Sequence, residues 1–378
     1  RDRWCINPSR QALKNNIKTL LGTYHSELAR YEEALACGEQ VTSVMNFVTK
    51  DNQKIKWTQD LLRYFKNKQV ITFDENGLRI VHYRPFAKRY LYFAKELNWS
   101  RYRLPLLFPD PQYSNILLGV SGIGSRAGFS CFMVDQIPDL DLIPKARWFP
   151  LYYYTKAGEK KDGVNAETRQ YFSYSEKAVS SEEVFYYIYG VLHSKDYRSL
   201  FAHNLLKELT RVPKVASMSD FMAFYEAGKK LADLHLNYES LDLGLLPERV
   251  NIEAGEQGNL SDKEYYRVSK KIKHVGNDNS VIKFNAHITI TGIPQQAYEY
   301  TLGIGNRAPV EWVMNMTQPK VDNKTQITRD PHLYDEDPKY CYHLLLRAII
   351  LACETMKIIQ ELPALAVGEY PSVAKSVQ

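Results

Sequence analysis

Cysteine is scarce in this 378-residue chain, and the five present (Cys5, Cys37, Cys131, Cys341, Cys353) include no C-x-x-C pair. An odd, scattered set argues against a disulfide framework and against a zinc site, so a reducing, cytoplasmic setting is expected. Long apolar runs are missing too. The stretch "HLLLRAIILAC" near the C-terminus is too short and too interrupted to cross a bilayer, so no membrane partner is expected. There is no secretory signal, and the chain opens "RDRWCINPSR" without an initiator methionine, as expected of a segment of something longer. No internal repeat and no low-complexity tract is expected. Tryptophan is rare, at 5 residues, but tyrosine numbers 27 and the hydrophobic share is 44%. That is enough apolar material for two or three packed units rather than one.

The net charge of +6 is modest, and its distribution is more informative than its size. Residues 84–103 carry Arg84, Lys88, Arg89, Lys95, Arg101 and Arg103 against Glu96 alone. Residues 145–161 carry Lys145, Arg147, Lys156, Lys160 and Lys161 against Glu159 alone. Both runs sit among Phe, Tyr and Trp. Cations interleaved with aromatics suit a polyanion with grooves or stackable faces, and they also suit a solvated face over core aromatics.

"SGIGSRAGFS" (121–130) has the glycines of a phosphate loop, but no Lys-Ser/Thr follows and the next residues read as a strand, not a helix. It is expected to be a hairpin whose tip offers Ser125, Arg126 and free backbone N–H groups. "NPSR" (7–10) is similar to the Asn-Pro-Pro-aromatic motif of adenine methyltransferases but lacks the second proline and the aromatic. Ser9 as a helix cap explains it better. Asp139 after Pro138, with Glu159 and Lys161, matches a loose magnesium-nuclease pattern in which two carboxylates hold the ion and the lysine orients water. Glu159 lies in a Gly-Lys turn, whereas that nuclease core requires a buried strand. The nine histidines show no pairing at three or four residues, and His193 and His235 read as packed core histidines.

Periodicity divides the chain into an α+β pattern: mixed β regions split by a helical block, with long N- and C-terminal helices. Ser9 precedes a stripe of Leu13, Ile17, Leu20, Tyr24, Leu28, Tyr31 and Leu35 that ends before Gly38. The C-terminal "YCYHLLLRAIILACETMKIIQEL" is a possible partner for it. "QVITF", "LRIVHYRPF", "RYLYF", "NILLGV" and "FSCFMVDQI" read as strands. Ser180 with Glu183, then Ser194, then Ser219 are expected to start three helices. Beyond residue 250, "EYYRVSKKIKH", a "GNDN" turn and "SVIKFNAHITITGI" read as strands again. In the first of these, alternation places Arg267, Ser269, Lys271 and Lys273 on one face roughly 20 Å long at about 3.3 Å per residue. Such a face suits phosphates, and it equally suits plain solvent.

Several stretches, taken in order, resemble one family. They are "RDRWCINPSRQALKNNI", "YRPFAKRYLYF", "SGIGSRAGFSCFMVDQIPDLDLI" with "FPLYYY", "EEVFYYIYGVLHSKDYRSLFAHNLLKELTRVP", "FYEAGKKLADLHLNYE" and "NRAPVEWVMNMTQPKVDNKTQITRDP". Together they are similar to the C-terminal portion of Type ISP restriction–modification enzymes. "NRAPVEW" departs from the family in having Ala-Pro where Ser-Ala is expected. The resemblance implies sequence-specific recognition of double-stranded DNA, with residues 1–110 joining a methyltransferase domain of the same polypeptide and residues 111–378 forming the target recognition domain. It implies no catalysis and no cofactor here, S-adenosylmethionine, ATP and magnesium belonging to the parent enzyme. From charge, loop position and alternation, phosphate contacts are expected from Arg126, Lys145, Arg147, Lys156, Lys160, Lys161, Arg267, Lys271 and Lys273, with Ser125 alongside Arg126. Base reading is expected from Arg126, His274, Asn277 and Asn279. The alternatives are a magnesium nuclease using Asp139, Glu159 and Lys161, and an intramolecular interaction module without DNA affinity.

Overall fold

The computed structural model describes residues 2–98, 101–125 and 127–368, and its architecture is α+β. Ser9 caps the helix Arg10–Ala36, its Oγ accepting the Ala12 N–H at 3.1 Å. The buried stripe runs from Leu13 through Tyr24 to Ala34 and is covered by near neighbours in sequence rather than by the C-terminal helix. The Tyr24 ring meets Phe65 of the helix Gln59–Lys66 at 5.7 Å and Trp57 at 6.0 Å. The expected strand "QVITF" does not pair. Its carbonyls are taken by the helix instead: Tyr24 O–H donates to Gln69 O, and His25 Nε2 sits 3.0 Å from Ile71 O. A segment whose polar backbone is already satisfied by side chains has little need of a ladder.

Leu78–Arg84 and Ala87–Tyr92 form a hairpin, flanked by Ile6–Asn7 on one side and by the parallel Ile137–Pro138 on the other. Leu117–Val120 lies between Cys131–Val134 and Arg147–Pro150, all antiparallel. Its alternate side chains enter different cores. Leu117, Phe132 and Val134 face one hydrophobic cluster, while Leu118, Val120, Cys131 and Met133 face another beneath the helical block. Strands buried on both faces in this way read as continuous apolar runs, as these do.

In the helical block, Ser180 and Glu183 form the expected capping box for Ser181–His193. Ser217, not Ser219, caps Met218–Leu236, because its Oγ reaches both the Asp220 N–H and the Asp220 carboxylate. The helix begun at Ser194 breaks at Phe201 into Lys195–Leu200 and Ala202–Lys207. Ser181–His193 and Met218–Leu236 cross with almost no space between their backbones: a Cβ on Gly190 would meet Phe224 O at 2.1 Å, and one on Gly228 would meet Tyr186 O at 1.9 Å.

The last sheet has the order Asn251–Ala254, Ile288–Thr291, Asp278–Lys283, Lys273–Val275. The long strand expected over 264–274 is shortened to its last residues. A Ser261/Glu264 capping box starts the helical turn Asp262–Tyr265, and the following backbone bonds to side chains: Val268 N–H donates to His332 Nε2, and Asn285 Nδ2 donates to Tyr265 O and Arg267 O. Val268 and Ile272 are still buried, as alternation required, with Lys271 and Lys273 exposed. The departure at Ala308-Pro309 costs nothing, since Pro309 is the first residue of the helix Pro309–Met316, where its missing N–H would be unsatisfied anyway. The helix Tyr340–Gln360 closes the chain, apolar nearly all round and packed on Pro309–Met316 and Met218–Leu236. Among the described residues no helix is long and apolar enough to cross a membrane.

Candidate nucleic-acid interface

The glycine stretch is a hairpin loop, as expected, joining Leu117–Val120 to Cys131–Val134. Its N–H groups are less available than its composition suggested. Gly122 N donates to Pro144 O, Gly124 N to Leu206 O, Ser125 N to Gly122 O, and Ala127 N to Ser125 Oγ. Ser125 itself is buried, so its hydroxyl closes the loop rather than facing outward. A phosphate cradle needs such donors unspent, and here they are spent within the loop and on the neighbouring segments at Pro144 and Leu206. Arg126 lies outside the described residues. The side chain that stands out is Ile123, 48% exposed. Lys145 joins this loop from a distant turn: a Cβ on Gly124 would lie 3.3 Å from its Nζ. Arg147 follows, exposed, on the edge strand Arg147–Pro150.

Lys156, Lys160 and Lys161 belong to a second hairpin, Tyr152–Tyr154 with Lys160–Asp162, and all three are exposed. The Lys160 ammonium sits 3.5 Å from the centroid of the Tyr152 ring. Lys161 is paired with Glu159, whose carboxylate raises its pKa. The nuclease pattern is therefore not assembled. Glu159 lies in an exposed hairpin turn, Lys161 neutralises it, and Asp139 is tied to Arg84 at 2.6 Å. Among the described residues no three His, Cys, Asp or Glu are grouped to hold a metal ion.

The third cluster surrounds the hairpin Lys273–Val275/Asp278–Lys283. Its register puts Lys273 directly opposite Lys283, both exposed, and His274 opposite the buried Ile282. His274 accordingly turns inward against the Tyr298 ring at 5.6 Å, with its Nδ1 buried, which places it poorly for reading bases. Gly276 supplies the left-handed residue of the two-residue turn (φ +63°), leaving the exposed side chains of Asn277 and Asn279 free of that duty. Arg267 is held by Asp330 at 2.6 Å rather than lying in line with Lys271 and Lys273.

A cationic cleft was not foreseen as a site. Arg84, Arg89, Lys320 and Arg329 line a space of about 280 Å³, beside Tyr83 and Gln318. Lys320 and Arg329 face each other across the short antiparallel pair Lys320–Val321/Thr328–Arg329, and the buried Arg329 Nε has no hydrogen-bond partner among the described residues. Arg84 and Arg89 belonged to the first cationic run, but Lys320 and Arg329 sit in unremarkable sequence, and only strand pairing brings them together. The internal histidines are core, as expected: His235 Nδ1 meets Tyr189 O–H at 2.6 Å and its Nε2 meets Thr355 Oγ1 at 2.9 Å.

The architecture recurs in solved structures. A nuclease-deletion mutant of the Type ISP restriction–modification enzyme LlaGI, in complex with a DNA substrate mimic, is 31% identical with a TM-score of 0.83, over 97% of this chain and 27% of that one. The ATP-dependent Type ISP enzyme LlaBIII, bound to DNA, is 29% identical with a TM-score of 0.83, over 97% of this chain and 23% of that one. The DrdV–DNA complex shares the fold at 24% identity and a TM-score of 0.77, over 96% of this chain and 35% of that one. The chain thus spans about a quarter to a third of the length of these structures. No curated protein sequence matches it. The Type ISP C-terminal specificity domain matches residues 1–344, nearly the whole chain, and the protein belongs to that family.

Proposed function

We propose that this chain reads duplex DNA for a longer restriction–modification polypeptide. It would hold a short asymmetric site on which an adenine methyltransferase and an ATP-dependent translocase and nuclease, located elsewhere in that polypeptide, act. S-adenosylmethionine, ATP and magnesium would then be bound outside this chain. Membership of a specificity-domain family and likeness to two Type ISP enzymes solved with DNA or its mimic support the reading.

The observation that carries it is the pairing of like charges across strands. Lys273 stands opposite Lys283, and Lys320 opposite Arg329. Directly opposed like charges destabilise a strand pair, so folding alone gives no reason to put two cations there twice. A phosphate backbone laid along them changes the sign of that interaction and releases condensed counterions from the DNA.

Binding of the purified chain to a randomised duplex pool over a salt series, with sequencing of the retained DNA, tests this. The expected result is a steep loss of affinity with salt and one enriched asymmetric motif. Retention at low salt without enrichment would mean a basic surface that needs other domains to read sequence. No retention at low salt would favour an intramolecular interaction module. Lys271→Ala and Lys273→Ala should each flatten the log–log salt slope by about 0.9, alike on all sequences. An unchanged slope removes that lysine from the footprint. Asn277→Ala, if the side chain reads a base, should instead cost about 1–3 kcal/mol at one base position and leave the slope as it was.

A further inference from the structure

Against the expectation of no internal repeat, two hexapeptides agree at five of six positions: Gly-Ile-Gly-Ser-Arg-Ala at 122–127 and Gly-Ile-Gly-Asn-Arg-Ala at 303–308. The copies share a closing hydrogen bond and a left-handed third residue, though Gly303 and Asn306 are also left-handed and Gly122 and Ser125 are not. Ser125 N donates to Gly122 O at 3.2 Å, and Asn306 N donates to Gly303 O at 3.2 Å. In each turn the third residue is a glycine in the left-handed region, Gly124 at φ +71° and Gly305 at φ +83°, which only glycine adopts without strain. Each turn therefore holds its isoleucine at the projecting second position: Ile123 is 48% exposed and Ile304 47%.

Tertiary structure sets the copies against each other. Gly303 N donates to Ser130 Oγ at 3.1 Å at the base of the first loop, and a Cβ on Gly128 would lie 3.9 Å from Asn306 Nδ2. The flanks are cationic. Lys145 rests on Gly124, and the Arg307 guanidinium lies 5.4 Å from the Trp312 ring centroid. Neither pairs with a carboxylate among the described residues.

Resting on the DNA-reading function above, we propose that these twin turns are a two-pronged wedge: Ile123 and Ile304 enter the minor groove and part a base step, while Lys145 and Arg307 take the flanking phosphates. Neither half-exposed isoleucine belongs to either hydrophobic core, so core packing does not explain them. Rigid apolar prongs between cations match a groove whose floor is stacked bases and whose walls are phosphate. A wedge spends binding energy on unstacking, so it should prefer a duplex in which the stack is already weakened.

The test compares a fully paired duplex with the same duplex carrying one unpaired base. The wild-type chain should prefer the second by about ten-fold, the equivalent of 1.4 kcal/mol out of the few that unstacking a step costs. Ile123→Ala/Ile304→Ala should lose that preference while keeping its salt slope, and it should stay folded with only a small drop in thermal unfolding because both side chains lie outside the cores. Lys145→Ala should keep the preference and flatten the slope. A double variant that retains the preference, or a wild type that binds both duplexes equally, overturns the wedge and leaves DNA reading intact. A wild type that binds neither duplex overturns both. A wild type whose self-association the double variant abolishes, with DNA binding unchanged, would show that the prongs serve contact between copies instead.

Discussion

Gly228→Ala should destabilise the fold by about 3 kcal/mol, although Gly22→Ala, the same chemical change in another helix, should stabilise it by roughly 0.5–1 kcal/mol. Alanine is the better helix former at both places, so propensity predicts a gain twice. Space decides otherwise at Gly228. A methyl there would sit 1.9 Å from Tyr186 O and 2.8 Å from Gly190 N, whereas carbon and carbonyl oxygen approach to about 3.3 Å. Both obstacles are backbone, so no side chain can swing aside. The helices must move apart by more than about 1 Å, which opens the stacked Tyr187–Phe221 rings, now 4.4 Å between centroids, and the Tyr187–Phe224 contact. At Gly22 nothing lies within 4 Å, and the only effect left is the reduced freedom of the unfolded chain. Urea unfolding of the two variants checks this. Equal stability of Gly228→Ala and wild type would mean that the helices do not cross at these glycines.

Acid should weaken the protein well before its carboxylates protonate. Burial pushes the His235 imidazole down to about 3 and His193 well below its usual value, and burial also lowers His332 to about 4, with Asp330 opposing. In the unfolded chain each titrates near 6.5. Above that pH both states are neutral and the full stability is present. Below it the unfolded chain takes up protons that the folded core refuses, so stability falls as pH falls, until the folded values are reached. For His235 the loss at pH 5 is about 2 kcal/mol, from 1.36 kcal/mol per pH unit. With His193 and His332 adding in the same direction, the sum rivals a total stability of roughly 5–15 kcal/mol. Urea midpoints should therefore drop steeply between pH 7 and pH 5. His235→Gln, which can still donate to Thr355, should be less stable at pH 7.5 but show a shallower decline. A midpoint flat across that interval would mean that these histidines are not held neutral in the core.

The parts of the fold that were legible beforehand are those in which a few adjacent residues settle the matter. Ser9 and Ser180 cap because their hydroxyls reach a backbone N–H within the same turn. The glycine hairpin at 121–130 was legible because no helix follows the glycines. Burial of Val268 and Ile272 was legible although their segment is mostly not a strand, because alternation records which side faces the core and not what the backbone bonds to. The misses share one cause. Gln69–Phe73 and residues 266–272 had strand-like composition, but side chains distant in sequence or on a neighbouring helix (Tyr24, His25, Asn285, His332) satisfied their backbone first.

The candidate interface divides in the same way. By itself, the sequence determined the sign of the charge, its clustering among aromatics, the hairpin tips and the family to which their order belongs. Tertiary structure alone decided which cations are spent on distant carboxylates, as Arg267 is on Asp330 and Arg84 on Asp139, and which face one another, as Lys273 faces Lys283 and Lys320 faces Arg329. It also decided that the loop 121–130 and the turn 303–306 meet, through Gly303 N–H and Ser130 Oγ. Hydrogen bonds within a turn and the period of a strand act over a few residues, and a sequence displays them directly. Register between strands and the meeting of distant loops are set by how two cores pack on either side of one buried sheet, and no short stretch of sequence carries that information.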